Sequence, residues 1–249
     1  MPLRSTDAVI IGGYDLAEAD RIIVFYTSAV GKVRAVAEGA RRIRSRFGGT
    51  LQLFAQGRLV YFERPNRTLH KVNEFAVSHS HQLLRENLDL IALGSTLVEA
   101  VALGVEDEEP SPPLYRLLAE GLGLLEAAGR PSVILHGFTL HLLRLLGYLP
   151  ELGACVGCRA TLPPRVPVAL SASRGGLLCP ACRGLASDTY ALSPEALGFL
   201  RGAGGAPLRL MGRVGLAPGA EREVGEVLRG FLQHVLGRPL KSADFLGRL

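Results

Sequence analysis

Four cysteines stand in two pairs, Cys155-Val-Gly-Cys158 and Cys179-Pro-Ala-Cys182, with twenty residues between the pairs. Each Cys-x-x-Cys turn can give two thiolates to one ion, and a hairpin between the turns can bring them together. That spacing fits a four-thiolate site, and the expectation is one structural Zn²⁺. A closed sphere of four protein ligands leaves no position for water or substrate, so the ion would not be catalytic. Two disulfides would instead need an oxidising compartment, and the apolar stretch Ala8–Ile11 is too short for a secretory signal. A redox role for Cys179 and Cys182 alone leaves the other pair unexplained. Iron in a rubredoxin-like site uses the same spacing and would colour the protein. Arg159, Arg165, Arg174 and Arg183 flank the pairs and could offset the two net negative charges of a zinc–thiolate centre.

The second constellation is Gly39-Ala-Arg-Arg-Ile-Arg-Ser-Arg-Phe-Gly-Gly49, with Lys32 and Arg34 just upstream. Lys32 and Arg34 are two apart on a predicted strand and therefore share a face. Arg41, Arg42, Arg44 and Arg46 sit among glycines and small residues, which predicts an exposed loop leaving that strand. Clustered cations suit a phosphate backbone, because each neutralised phosphate releases counterions. Phe47, and also Tyr26 and Tyr61, would offer faces on which unpaired bases stack. Most basic runs are simply solvated. Here the local excess and the neighbouring aromatics favour nucleic acid, although charge alone does not separate DNA from RNA.

Signatures of catalysis are absent. No phosphate-binding Gly-x-x-x-x-Gly-Lys-Ser/Thr, no His-Glu-x-x-His and no Gly-x-Ser-x-Gly occurs. His79 and His81 lie at a strand-to-helix junction, and His136 and His141 lie among leucines, where core-edge roles are the ordinary reading. Asp15, Glu18 and Asp20 could hold Mg²⁺ for phosphodiester cleavage, but acids in a predicted hairpin are more often turn residues. The chain is not expected to be an enzyme.

The elements that must position these groups divide the chain. Residues 1–80 hold 12 Lys or Arg against 7 Asp or Glu, whereas the remaining 169 residues hold 16 of each, so the whole +5 excess belongs to the first third. That third reads as five short strands, Ala8–Tyr14, Arg21–Ser28, Lys32–Glu38, Arg58–Arg64 and Leu69–Val77, rich in β-branched and aromatic residues. Five strands in so short a span suggest an OB-fold barrel, although strand count alone does not separate it from an SH3-like barrel. From about Ser80 apolar residues recur at helical spacing through Val101. Helices follow to about Gly129, from Pro131 to Gly147, from the Ser193-Pro-Glu195 cap, and from Glu221 to Leu236, with Gly202–Gly219 read as a loop. The expected fold is α+β and multidomain: an OB-fold nucleic-acid-binding domain at 1–80, then a mainly helical domain at 81–249 carrying the zinc hairpin at about 150–185. No run of eighteen residues is both apolar and uncharged, which argues against a membrane span.

Taken together, these motifs resemble the bacterial RecO family of DNA repair and recombination proteins. Leu16-Ala-Glu-Ala-Asp-Arg-Ile22 is similar to its acid-containing hairpin. Gly31-Lys32, Val36-Ala-Glu-Gly-Ala-Arg-Arg42, Ser45-Arg-Phe47 and Leu51-Gln-Leu-Phe54 are similar to its basic strand, its loop and the segment that follows. Leu146-Gly-Tyr-Leu-Pro-Glu-Leu152 and Gly175-Gly-Leu177 flank the cysteine pairs, and Gly237-Arg-Pro-Leu-Lys-Ser242 with Phe245-Leu246 resembles the family's ending. The resemblance implies binding of single- and double-stranded DNA, annealing of complementary strands, and work with RecR to load RecA onto DNA coated by single-strand-binding protein. It implies a cytoplasmic, nucleoid-associated protein. Some family members lack the cysteines, so the zinc is not expected to belong to the shared mechanism. The contrasting readings are a zinc-ribbon RNA-binding factor and a Mg²⁺-dependent nuclease.

Overall fold

The computed structural model describes residues 1–127, 129–163 and 167–242. Arg165 and the Phe245-Leu246 pair lie outside them. The chain forms two compact units, one ending at Glu126 and one beginning at Ala127.

The first unit opens with five strands: β1 (Leu3–Leu16), β2 (Asp20–Thr27), β3 (Gly31–Ala37), β4 (Gln56–Phe62) and β5 (Leu69–His79). They close in the order β1-β2-β3-β5-β4, with β1 also pairing β4 and with β3 and β5 parallel. This is the five-stranded barrel of an OB-fold. Alternation drives it. On β4, Leu59 and Tyr61 point inward and are buried, while Val60 and Phe62 face out and keep partial exposure. Inward residues of every strand meet in one core with Ile10, Phe25, Val33, Val72 and Phe75. Each such apolar side chain contributes about 1.5–3 kcal/mol on burial. Phe25 and Phe75 pack with ring centroids 5.5 Å apart.

Three helices complete this unit: α1 (Gln82–Glu86), α2 (Leu88–Gly104) and α3 (Pro112–Ala127). The helical periodicity after Ser80 is thus divided into two helices. Asn87 is extended and its side chain accepts from the N–H groups of Asp89 and Leu90, so it ends α1 and caps α2. The acidic link before α3 lies along β3. Glu108 N–H donates to the Lys32 carbonyl, and Lys32 bridges to Asp107 as a short parallel pair. Gly31, at φ +83°, permits this approach, because a Cβ there would collide with the Glu109 backbone.

The second unit contains α4 (Pro131–Leu145), a three-stranded sheet in the order β7-β6-β8, α5 (Pro194–Ala203) and α6 (Pro218–Leu236). Its strands are β6 (Val168–Ser171), β7 (Gly176–Leu178) and β8 (Thr189–Leu192). The Ser193 hydroxyl accepts from Ala196 N–H and caps α5. The glycine-rich stretch read as a loop contains a 3₁₀ turn, Leu208–Arg213, because Leu208 and Met211 bury themselves against α4 beside Gly137. Among the described residues no helix is long and apolar enough to cross a membrane.

Candidate metal centre and nucleic-acid interface

In the second unit, the β6–β7 hairpin lies between the two cysteine pairs and carries Cys179 at its end. The first pair docks against it through Val156 N–H to Leu177 O at 2.8 Å, and through Glu151 N–H to Gly175 O and Leu177 N–H to Glu151 O, both at 3.0 Å. The Glu151 carboxylate also accepts from the N–H of Gly153 at 2.7 Å and holds the approach to Cys155. Each pair is wound into a tight turn, by Arg159 N–H to Cys155 O and by Cys182 N–H to Cys179 O. Arg201 of α5 ties the segment down by donating to the carbonyls of Leu152 and Leu162, each at 2.8 Å.

The result is that the sulfurs of Cys155, Cys158, Cys179 and Cys182 all lie within 4.8 Å of one another. A tetrahedral ion with metal–sulfur bonds of about 2.3 Å requires sulfurs about 3.8 Å apart, and Cys158 and Cys179 are 3.9 Å apart. No disulfide joins them. The arrangement already stabilises negative sulfur at one ligand. Burial alone would raise the Cys155 pKa, but backbone N–H groups of Cys179, Cys158 and Gly157 outweigh it and bring it down to about 6. Cys182 is pushed up to about 12, chiefly because it donates to Cys179, with burial adding to the effect. Four crowded sulfurs can become thiolates together only around a cation, so the donor set fits a metal ion.

In the first unit, the β3–β4 connection, residues 38–55, crosses the barrel as a series of turns. Phe47 and Leu51 plug into the barrel core, at 4% exposure each, and Phe54 is fully buried. These anchors hold up an exposed stretch in which Arg41, Arg42, Arg44 and Arg46 face solvent. Arg41 donates to Ala17 O at 3.0 Å and lies 3.4 Å from Asp15. Arg46 donates to Val72 O at 3.1 Å and lies 4.7 Å above the Phe47 ring.

Sequence comparison covers both sites. The family model described as "Recombination protein O N terminal" matches residues 1–81, and that described as "Recombination protein O C terminal" matches residues 85–244. The chain belongs to the recombination protein O (RecO) family. It is 33% identical over 241 residues to the DNA repair protein RecO of Roseiflexus sp. (strain RS-1), covering 97% of this chain and 84% of that protein. Identity to the DNA repair protein RecO of Anaeromyxobacter sp. (strain K) is 34%, over 97% of this chain and 94% of that one. For the protein of the same name from Symbiobacterium thermophilum it is 32%, over 100% and 98%.

Within this RecO-family chain, the residues expected to form one basic surface separate. Lys32 and Arg34 do share a face, but Lys32 is only 8% exposed. Its ammonium donates to the carbonyls of Ala102 at 2.8 Å and Val105 at 2.7 Å and lies 3.4 Å from Asp107. Arg34, partly exposed, is held by the same Asp107. Lys32 therefore fastens the α2–α3 link to the barrel instead of standing in solvent beside the arginine loop. Phe47 is likewise a core plug, and Tyr26 and Tyr61, at 0% and 1% exposure, offer no stacking face. Their burial follows from strand alternation that a residue-type reading overlooks: Tyr61 and its inward neighbour Leu59 bracket the outward Val60.

The outward aromatic is Phe62, one residue on, and it lines a cleft of about 530 Å³ with Arg42, Arg46, Lys71 and Asn73. Counting the alternation on β4 past Tyr61 would have found it. Asp15 and Asp20 serve the loop. Asp15 pairs with Arg21 and Arg41, and Asp20 accepts from Gly39 N–H at 2.8 Å. Among the described residues the cysteines are the group of His, Cys, Asp or Glu set to hold an ion. His81 is buried between Glu126 and Gln56, each at 2.7 Å, as a structural clasp.

Proposed function

We propose that this chain acts in DNA repair by homologous recombination, as a mediator that binds DNA and does not catalyse a reaction. It holds single- and double-stranded DNA, anneals complementary strands, and with RecR helps load RecA onto DNA coated by single-strand-binding protein. The observation that carries this reading is the exposed row Arg41, Arg42, Arg44 and Arg46 on the barrel of a chain matched nearly end to end by the RecO family. The DNA-binding domain is assigned to residues 1–80, with Arg34 at its margin and the helical domain at 81–249.

The mechanism needs no nucleotide. A cationic loop that takes up two strands lowers their mutual repulsion and raises the local concentration of complementary partners. Its glycines and core anchors present the guanidinium groups without unfolding the barrel. The four cysteines are assigned to one Zn²⁺, which when bound joins the two turns and stabilises the second unit.

The test is annealing of two complementary oligonucleotides by the purified chain, without nucleotide or magnesium. Annealing well above the spontaneous rate is expected. Failure to accelerate it, despite tight DNA binding, would overturn the annealing part. Preference for RNA over DNA of the same sequence would favour an RNA-binding factor instead.

A further inference from the structure

The cleft beside the arginine loop has a construction that the row of arginines alone does not explain. Its floor is the outer surface of the barrel where β4 and β5 pair, with Phe62 directly opposite Lys71 in the register. Lys71 and Asn73 flank the buried Val72 at a β-bulge in β5, and both line the cleft. Its wall is the turn Gly39–Arg46, held in place by the Gly39–Asp20 hydrogen bond. One side is thus a half-buried aromatic ring, the other carries Arg42 and Arg46, and a neutral amide stands between them.

Two of the three cations, Arg46 and Lys71, are positioned before any ligand arrives. Arg46 is fixed by the Val72 carbonyl and by the Phe47 ring beneath it. Lys71 is held 2.6 Å from Glu38, and both side chains line the cleft. Asp20 is engaged with the backbone, so three cationic side chains face two carboxylates that already have partners. A volume of about 530 Å³ lies within the range of pockets that take one small ligand.

We propose that this cleft receives one unpaired nucleotide of a DNA strand, the base stacking on Phe62 and the flanking phosphates meeting Arg42 and Arg46. The inference rests on the DNA-binding reading above and refines it: the cleft takes single strands and excludes duplex. A paired base has both faces stacked and its edge occupied, and extracting it costs a few kcal/mol. The rest of the arginine loop needs only phosphates and serves either form. Asn73 offers both a donor and an acceptor, so any base edge finds a partner and sequence preference is weak.

The chain contains no tryptophan, so Phe62→Trp places a single fluorescent reporter in the cleft. Addition of an oligothymidylate should quench it, whereas blunt duplex bound to the same extent should not. Phe62→Ala should weaken binding of the single strand by roughly ten- to a hundredfold and leave duplex affinity within about twofold. In the wild-type chain, an oligonucleotide carrying 5-iodouracil should crosslink at Phe62 on irradiation, a readout that requires no variant. Crosslinking elsewhere only, or equal losses for single strand and duplex, would overturn the cleft assignment while leaving DNA binding intact. A wild-type chain that binds neither form would instead sink the underlying DNA-binding reading.

Discussion

Cationic side chains of one type have different duties here, and burial decides which. Arg41, Arg42, Arg44 and Arg46 stand in solvent, where binding a phosphate costs little desolvation. If four to six cations engage a single strand, log affinity should fall against log salt with a slope of roughly −3 to −4. Replacing the four arginines by alanine should flatten that slope, and an unchanged slope would place the interface elsewhere. Lys32→Ala should behave oppositely. Removing an ammonium that satisfies two carbonyls should lower stability by about 2 kcal/mol and leave the slope unaltered, as denaturant unfolding and salt titration would show. His136 carries a pH dependence. Burial, the main cause, lowers its pKa from 6.5 to about 4, with the Arg229 charge adding and Glu221 opposing. Above pH 6.5 the ring is neutral in folded and unfolded chains, and its contribution is constant. Between pH 6.5 and 4 only the unfolded chain takes up the proton, so stability falls as pH falls, by about 3 kcal/mol in all. His136→Gln should remove that loss from the urea midpoint. The Asp188 carboxylate, where hydrogen bonds from Ser173 and Ser171 overcome burial to lower the pKa to about 2, acts in a separate and more acidic window.

At the scale of elements, the cysteine hairpin is a small sheet whose turns bring four sulfurs within 4.8 Å of one another. β7 has three residues and β6 four, lengths at which strands need outside support. An ion held by the four cysteines would supply part of that support, and Arg201 and the Glu151 ladder supply more. The quadruple Cys→Ser variant should lose one equivalent of metal, measured by atomic absorption, and should melt several degrees lower. It should retain DNA affinity within a few-fold, since the arginine loop belongs to a different compact unit; a folded variant that no longer bound DNA would contradict this division. The seam where the acidic link runs beside β3 is equally testable. Gly31→Ala would impose about 1–2 kcal/mol of left-handed strain as well as a clash with the Glu109 backbone, and should lower the melting temperature.

For the molecule as a whole, the surplus charge of +5 resides in residues 1–80, and the remaining residues are balanced. Affinity for DNA should therefore respond to salt as the first domain does. Raising salt from 50 to 200 mM should weaken single-strand binding by roughly a hundredfold for a slope of −3 to −4. A change of less than threefold would mean that the charge asymmetry has no part in binding. Annealing should decline over the same range, because the protein must hold both strands at once.

Spacing and periodicity were enough to read the cysteine site, the five strands and the arginine loop from the chain. Two Cys-x-x-Cys turns with a hairpin between them have few other uses, and alternation with a period of two reports a half-buried sheet wherever it lies. The fate of Lys32, Phe47, Tyr26 and Tyr61 was decided only by the tertiary structure. Their chemistry suits an interface and a core equally well, and what separates the two is which segments fold over them. The link at Asp107 and Glu108 covers Lys32 across more than seventy residues of sequence, and barrel closure turns Tyr61 inward and Phe62 outward. Contacts between distant segments leave no local pattern, so residue type alone could not show which cations and aromatics remain at the surface.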